Sequence, residues 1–418
     1  MESDSILTIY LALLALYLLA ESLLISCNLK SIRSNAGAIP AAFAGVISPE
    51  KYQLSLEYSR ARGLFDLLQT FYSTGLILVV VLSGALGWLD ALVRGLPVGS
   101  STAGVLFLFV LSLILRVFGI PFELYETFKI EERFGFNRMT WKLWLVDAAK
   151  ELLVGVLLLA PLLYILFWLQ AVSGPWWWLY AAAVVAVFQL GLLLLYPVWI
   201  APFFNKFLEL TDGELKSAVT TLAKKIDFKI AGVFKMDGSR RSAHSNAYFT
   251  GMGKHKRIVL YDTLVNDLSI PELIAVLAHE MGHQKLKHLQ KGMLLSLTVL
   301  FAGFWVLGFL ADYEPFFAAF GLSQVSFHGA LFIFILASGP VRYFLVPVIS
   351  AISRRFEYAA DLFAVQVLGT GVHLSRALVK LAEKNLSNLT PHRWYSTFHY
   401  SHPTLLERLR ALEHGTAL

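Results

Sequence analysis

Seven runs of apolar residues decide most of what this chain can become. They cover about Ile6–Ser26, Leu64–Leu89, Ala103–Phe122, Trp144–Leu169, Trp177–Ile200, Gly292–Ala311 and Gly329–Ser350. Each is long enough to cross the roughly 30 Å of a bilayer's hydrocarbon as a helix. Lipid offers no partner to a backbone N–H or C=O, so an isolated run of this length has no alternative to a helix that bonds within itself. The composition agrees: 57% of residues are hydrophobic and only 15% charged, whereas soluble chains are about a quarter charged. The first run holds only Thr8, Glu21 and Ser22 as polar interruptions. With no cationic segment ahead of it and no small-residue cleavage site after it, it reads as a retained span, not a signal peptide.

The connections alternate in charge. Lys30, Arg33, Lys51, Arg60 and Arg62 follow the first span. Lys129, Arg133, Arg138 and Lys142 follow the third, the stretch after the fifth is rich in lysine, and Arg354 and Arg355 follow the seventh. The other connections carry only Arg94, with none in Gln170–Trp176 or Asp312–Phe327. The positive-inside rule then predicts an integral, multi-pass protein with its N-terminus outside and its C-terminus in the cytoplasm. Trp176, Trp177 and Trp178 suit an interfacial anchor. The formal charge of +6 is thereby explained by topology, and with no basic, aromatic-rich module nucleic acid is not an expected partner. The chain divides into residues 1–200 (five spans and their connections), 201–291 (a first cytoplasmic piece), 292–350 (two spans) and 351–418 (a second cytoplasmic piece). Sequons at Asn385 and Asn388 fall on the cytoplasmic side, where they go unused.

Within the cytoplasmic pieces, Thr211–Glu214 resembles a capping box opening a helix with Leu215, Val219, Leu222 and Ile226 on one face. Phe228–Met236 and Arg257–Tyr261 read as strands, and Asn246–Thr250 as a third. Ser269-Ile-Pro-Glu272 is a second capping box, with proline in the first turn. The helix it starts carries His279-Glu-Met-Gly-His283. Residues four apart share a helix face, so His279 and His283 point the same way, suited to one tetrahedral Zn²⁺, and Glu280 beside them can take a proton from a bound water. The helix turns polar at Gln284, Lys285, Lys287 and Gln290 before the sixth span. Cys27 is the only cysteine, so there is no intrachain disulfide, and any metal site must use His, Asp and Glu.

Two histidines leave a catalytic zinc one protein ligand short. Glu357 is the best candidate. Two apolar spans lie between His283 and Glu357, so a chain that crosses out and back returns to the same side. Asp361, four residues on, shares its helix face and can hold the far nitrogen of a liganding histidine. The alternative is a surface carboxylate pair answering Arg354 and Arg355.

These residues together resemble the integral-membrane zinc CAAX prenyl proteases of the a-factor-converting type. The resemblance rests on His279-Glu-x-x-His283, on Glu357-x-x-x-Asp361 after two further spans, and on the seven spans. It extends to Phe122–Asn137, Ser242–Phe249 and Ser401–Arg408. It implies a mainly α polytopic fold: a seven-helix transmembrane barrel enclosing a water-filled chamber, with a split α+β gluzincin-type metalloprotease domain. Glu21, Asp66, Arg116 and Asp147 would face that water, or snorkel from span ends.

By the same resemblance one Zn²⁺ is held by His279, His283 and Glu357, with Glu280 as general base. Asp361 is the family's proton donor, although a carboxylate beside cations suits an orienting role better. His402 steadies the oxyanion; a helix-entry role beside Pro403 is its alternative. Asn246 and Ala247 line an extended peptide, which would add a strand there; Asn246 also suits a turn. Arg408 meets a substrate carboxylate or makes a salt bridge within the site. His244, His255 and His288 receive no role and are read as solvated.

The implied activity is removal of the C-terminal tripeptide from CAAX proteins that carry a prenylated cysteine, with the lipid bilayer as the second partner. A broad membrane-protein quality-control protease is the alternative. A metal transporter or silent scaffold is a more remote one, since transporter ligands lie within spans. Short outer connections and a C-terminus without dilysine lean toward a bacterial plasma membrane over an endoplasmic reticulum.

Overall fold

The computed structural model describes residues 1–211, 213–250 and 257–414. Seven of its helices are long and apolar enough to cross a membrane. The first half of the chain runs through α1 (Glu2–Ser34), α2 (Pro49–Leu82), α3 (Ala85–Arg94), α4 (Ser100–Tyr125), α5 (Trp141–Val172) and α6 (Trp177–Leu195). Single π-turns, Glu126–Glu131 and Tyr196–Ile200, prolong α4 and α6, and α7 (Ala201–Phe204) follows. One expectation needs correction. The second span does not reach Leu89: α2 stops at Leu82, and Gly84, in the left-handed region at φ 77°, turns the chain into the separate α3. A side chain there would strain the backbone.

The split domain begins with β1 (Phe207–Glu209), α8 (Glu214–Lys225), β2 (Gly232–Met236), β3 (Ala247–Thr250), β4 (Arg257–Tyr261), α9 (Asp262–Asp267) and α10 (Ile270–Lys285). α11 (His288–Leu310), α12 (Glu314–Ala319) and the 42-residue α13 (Phe327–Leu368) recross the ring, and α14 (Val372–Lys384), α15 (Arg393–His399) and α16 (Leu405–His414) complete the domain. The four strands lie in the order β1-β2-β4-β3; only β2 and β4 run parallel. β4 falls where the sequence predicts it. β2 starts four residues later than predicted, because Phe228 is spent closing α8, its N–H bonding the Ala223 carbonyl at 2.8 Å. The three-residue β1 is too short to leave a periodic signal. The capping box at Ser269 forms, with Glu272 as its reciprocal partner. The one at Thr211 does not: α8 begins after Gly213 with no side-chain cap.

The spans close a ring. α1 packs on α2, α4 on α5, α5 on α6, α6 on α11, α11 on α13, and α13 returns to α1; α3 and the π-turn after α4 link α2 to α4. The large hydrophobic clusters lie toward the ends. One core plugs the ring at the end away from the sheet, where Leu86, Leu89, Phe107, Phe167, Phe317, Phe327 and Ile333 meet. A second fills the split domain between sheet, α8, α10, α13 and α14. Between these ends α5 has no buried residue from 148 to 165, and α11 none from 289 to 306. A wall one helix thick, accessible on both faces, encloses a hollow. This is the predicted barrel around a chamber.

Of the four span charges singled out in the sequence, Glu21, Asp66, Arg116 and Asp147, three find protein partners. Asp147 accepts two hydrogen bonds from Arg241, at 2.8 and 3.0 Å. Arg116 pairs with Glu123 and, at 3.7 Å, with Glu151. Glu21 accepts from the Tyr343 hydroxyl at 2.7 Å and stands 3.1 Å from His399 Nε2.

Candidate metal centre

α10 and α13 carry the site and pack against each other because Gly282 permits it. A Cβ on Gly282 would stand 3.2 Å from the Ala360 Cα and 3.1 Å from the Phe363 ring. The closeness brings Glu357 under both histidines. His279 Nε2 and His283 Nε2 are 3.2 Å apart. Glu357 Oε2 lies 3.4 Å from the first and Oε1 3.2 Å from the second. Donors about 2.0–2.1 Å from a tetrahedral zinc would stand about 3.3–3.4 Å from one another. The donor set and its spacing therefore fit such an ion. No other group of three His, Cys, Asp or Glu able to hold a metal occurs among the described residues.

The remaining atoms orient these donors. Asp361, 2% exposed, lies 2.7 Å from His279 Nδ1. On the neutral imidazole that zinc requires, that contact keeps the proton on Nδ1 and leaves Nε2 as the bare donor. Asp361 in turn accepts from Arg408 Nε at 2.9 Å and from its terminal nitrogen at 2.6 Å. Burial works against charge on His279, but the carboxylates of Asp361 and Glu357 outweigh it and push its pKa up to about 9. Burial pushes the Glu280 carboxyl up from its ordinary value, toward the range suited to a general base near neutrality.

The other predicted positions are less uniform. His402 is 63% exposed in its side chain, yet its Nδ1 stands 2.8 Å from Glu357 Oε2, at the mouth of the site. Asn246 immediately precedes β3, its side-chain oxygen accepting from Ala247 N at 2.8 Å, and Ala247 pairs with Leu260 on the edge of the sheet beside α10. Of the two uses the sequence allows Arg408, the geometry supports the salt bridge: the residue is 8% exposed and its guanidinium is spent on Asp361. His288 departs from its solvated reading. It is buried, stacks on Phe356 at 4.2 Å and 8°, and puts its Nδ1 3.0 Å from His283 Nδ1. His244 is half-buried and stacks on Phe136; His255 lies outside the described residues.

Known proteins resemble this chain in sequence and in fold. Residues 28–206 match the family described as CAAX prenyl protease N-terminal, five membrane helices, and residues 209–416 match peptidase family M48. CAAX prenyl protease 1 homolog of Arabidopsis thaliana is 36% identical over 389 residues, covering 90% of each chain. CAAX prenyl protease 1 of Saccharomyces cerevisiae is 35% identical over 403 residues, covering 90% of this chain and 88% of the relative. The crystal structure of S. mikatae Ste24p superposes with a TM-score of 0.90 at 33% identity, covering 99% of both chains. Likeness over this much of the chain, in sequence and in fold, makes this protein a member of peptidase family M48 and a membrane metalloprotease.

Proposed function

We propose that the chain is a zinc endopeptidase that removes the C-terminal tripeptide of CAAX-type proteins bearing a prenylated cysteine. The observation that carries the reading is the convergence of His279, His283 and Glu357 at mutual distances of 3.2–3.4 Å, with Glu280 next to the first ligand. These three residues would hold one Zn²⁺. When bound, the ion supplies Lewis-acid polarisation of the scissile carbonyl and a lowered pKa for the attacking water. Glu280 takes the proton from that water and returns it to the leaving amine. His402, at the open side of the site, donates a hydrogen bond to the oxygen that gains charge. Asp361 and Arg408 act by holding His279 in one tautomer and orientation, which assigns Asp361 an orienting task in place of proton donation.

The substrate enters as an extended segment along β3 at Asn246 and Ala247, gaining main-chain hydrogen bonds from the outer edge of the sheet. The chamber houses the prenyl-bearing end, and the lipid bilayer surrounds the ring. Residues 1–200 and 292–350 form the barrel; 201–291 and 351–418 form the split catalytic domain. The charge pattern puts the N-terminus outside and the zinc site and C-terminus toward the cytoplasm. The short outer connections favour a bacterial plasma membrane over an endoplasmic reticulum.

Cleavage of a fluorogenic peptide, with and without a farnesyl group on its cysteine, tests the reading. Chelator-sensitive cleavage confined to the farnesylated peptide is the expected result. Equal cleavage of both peptides points to the quality-control protease, and no cleavage of either sinks the enzymatic reading.

A further inference from the structure

The two liganding histidines are held differently. His279 leans on a carboxylate; His283 leans on another imidazole. For His283 to aim a bare Nε2 at Glu357 and His279, its proton must sit on Nδ1. That Nδ1 lies 3.0 Å from His288 Nδ1. The contact is a hydrogen bond only if His288 presents a bare Nδ1 and carries its own proton on Nε2. A neutral imidazole with its proton on Nε2 meets that condition.

Five residues apart, His283 and His288 would face about 140° away from each other on a continuous helix, with no chance of contact. The chain prevents continuity. α10 stops at Lys285, and Lys287 takes the left-handed conformation at φ 59° and ψ 35° before α11 starts. A non-glycine residue adopts that conformation only where the surroundings hold it. The turn swings the His288 ring back under His283. Phe356, the residue before the candidate ligand Glu357, fixes the ring plane by stacking at 4.2 Å and 8°. His288 is also the first residue of α11, a candidate span, so the contact ties a liganding side chain to the wall of the barrel.

We infer that His288 is a positioning residue for the metal: it accepts the His283 Nδ1 proton, fixing the tautomer and ring orientation that zinc binding requires. A carboxylate in its place would add a negative charge beside Glu280, Glu357 and Asp361; an imidazole orients without adding one. The inference rests on the reading of His283 as a zinc ligand.

The test is zinc affinity of the full-length protein in detergent, measured by competition with a chelator, for wild type, H283A, H288N, H288A and H288F. Phenylalanine keeps ring volume and stacking but removes the acceptor. Asparagine loses the ring but returns an acceptor oxygen close to the Nδ1 position. Loss of an orienting partner costs about 10–100-fold in metal affinity. The expected result is that loss in H288F and H288A, with H288N within about threefold of wild type. The metal-free melting temperature identifies any variant whose loss reflects misfolding. If H288F does not fold, the N-versus-A pair still isolates the acceptor. Equal zinc affinity for wild type and all three His288 variants overturns the inference. Unchanged affinity in H283A overturns the ligand assignment beneath it, a result distinguishable from failure at His288 alone.

Discussion

On α10, Leu273, Ala275, Leu277, Ala278 and Met281 are each at most 2% exposed. On α11, which two residues separate from α10, no residue from 289 to 306 is buried. Both are apolar helices in one chain, yet one is locked in a core and the other is a free-standing wall. The difference teaches where sequence is constrained. Side chains of the split domain answer to close neighbours and to the metal site. Those of the mid-wall answer mainly to lipid on one face and water on the other, so only their general character counts.

Substitutions can break or sharpen that contrast. The largest expected effect lies at the chemistry: Glu280→Gln should slow peptide cleavage by about 10²–10⁴-fold while zinc content, measured by elemental analysis, stays at the wild-type level. Next comes the seam between the two regions. Asp147 on α5 receives both Arg241 bonds from the split domain. Asp147→Ala should destabilise by about 3 kcal/mol, the lower end for a broken buried pair, because Arg241 keeps a fifth of its side-chain surface exposed. Chemical denaturation in detergent checks it.

Third, Leu277→Ala in the core should cost about 2–5 kcal/mol, whereas Leu157→Ala in the wall, where Leu157 is 63% exposed, should stay within about 0.5 kcal/mol. Comparable losses would show that the wall is packed after all. The smallest effect is pH dependence at the site. Zinc needs His279 unprotonated, while the metal-free protein holds its proton up to about pH 9. Zinc affinity should therefore fall about tenfold per pH unit on acidification below 9. The raised pKa also acts on the metal-free fold, with the sign running the other way. The His279–Asp361 interaction stabilises it fully below the unfolded-state pKa of about 6.5 and is lost as pH rises through about 9. Chelator competition and metal-free melting, each at two pH values, read the two trends.

Much of this was legible before any coordinates. Lipid leaves the backbone one solution, so the seven spans show in composition alone. The helical period aligns His279 with His283. Glu357 follows from counting crossings, a topological inference that needs no geometry. Other features leave no periodic trace. His288 meets His283 only because Lys287 breaks the helix, and an i,i+5 spacing on an assumed continuous helix argues against contact. Arg408 reaches Asp361 across 47 residues of sequence, with nothing local to choose between a buried pair and a substrate contact. The Asp147–Arg241 tie joins a spanning helix to the split domain, so each partner reads alone as a stray charge.

The outer edge of β3, which pairs with no further strand among the described residues, carries one more consequence. Unpaired strand edges are where proteins stick to copies of themselves and grow into fibrils. Here Tyr248 on that strand shares a cavity with Tyr196, Leu289 and Met293 at the ends of α6 and α11, so the strand stands beside the foot of the ring. Crowding of this kind works against pairing with a second folded copy, which needs more room than one extended strand.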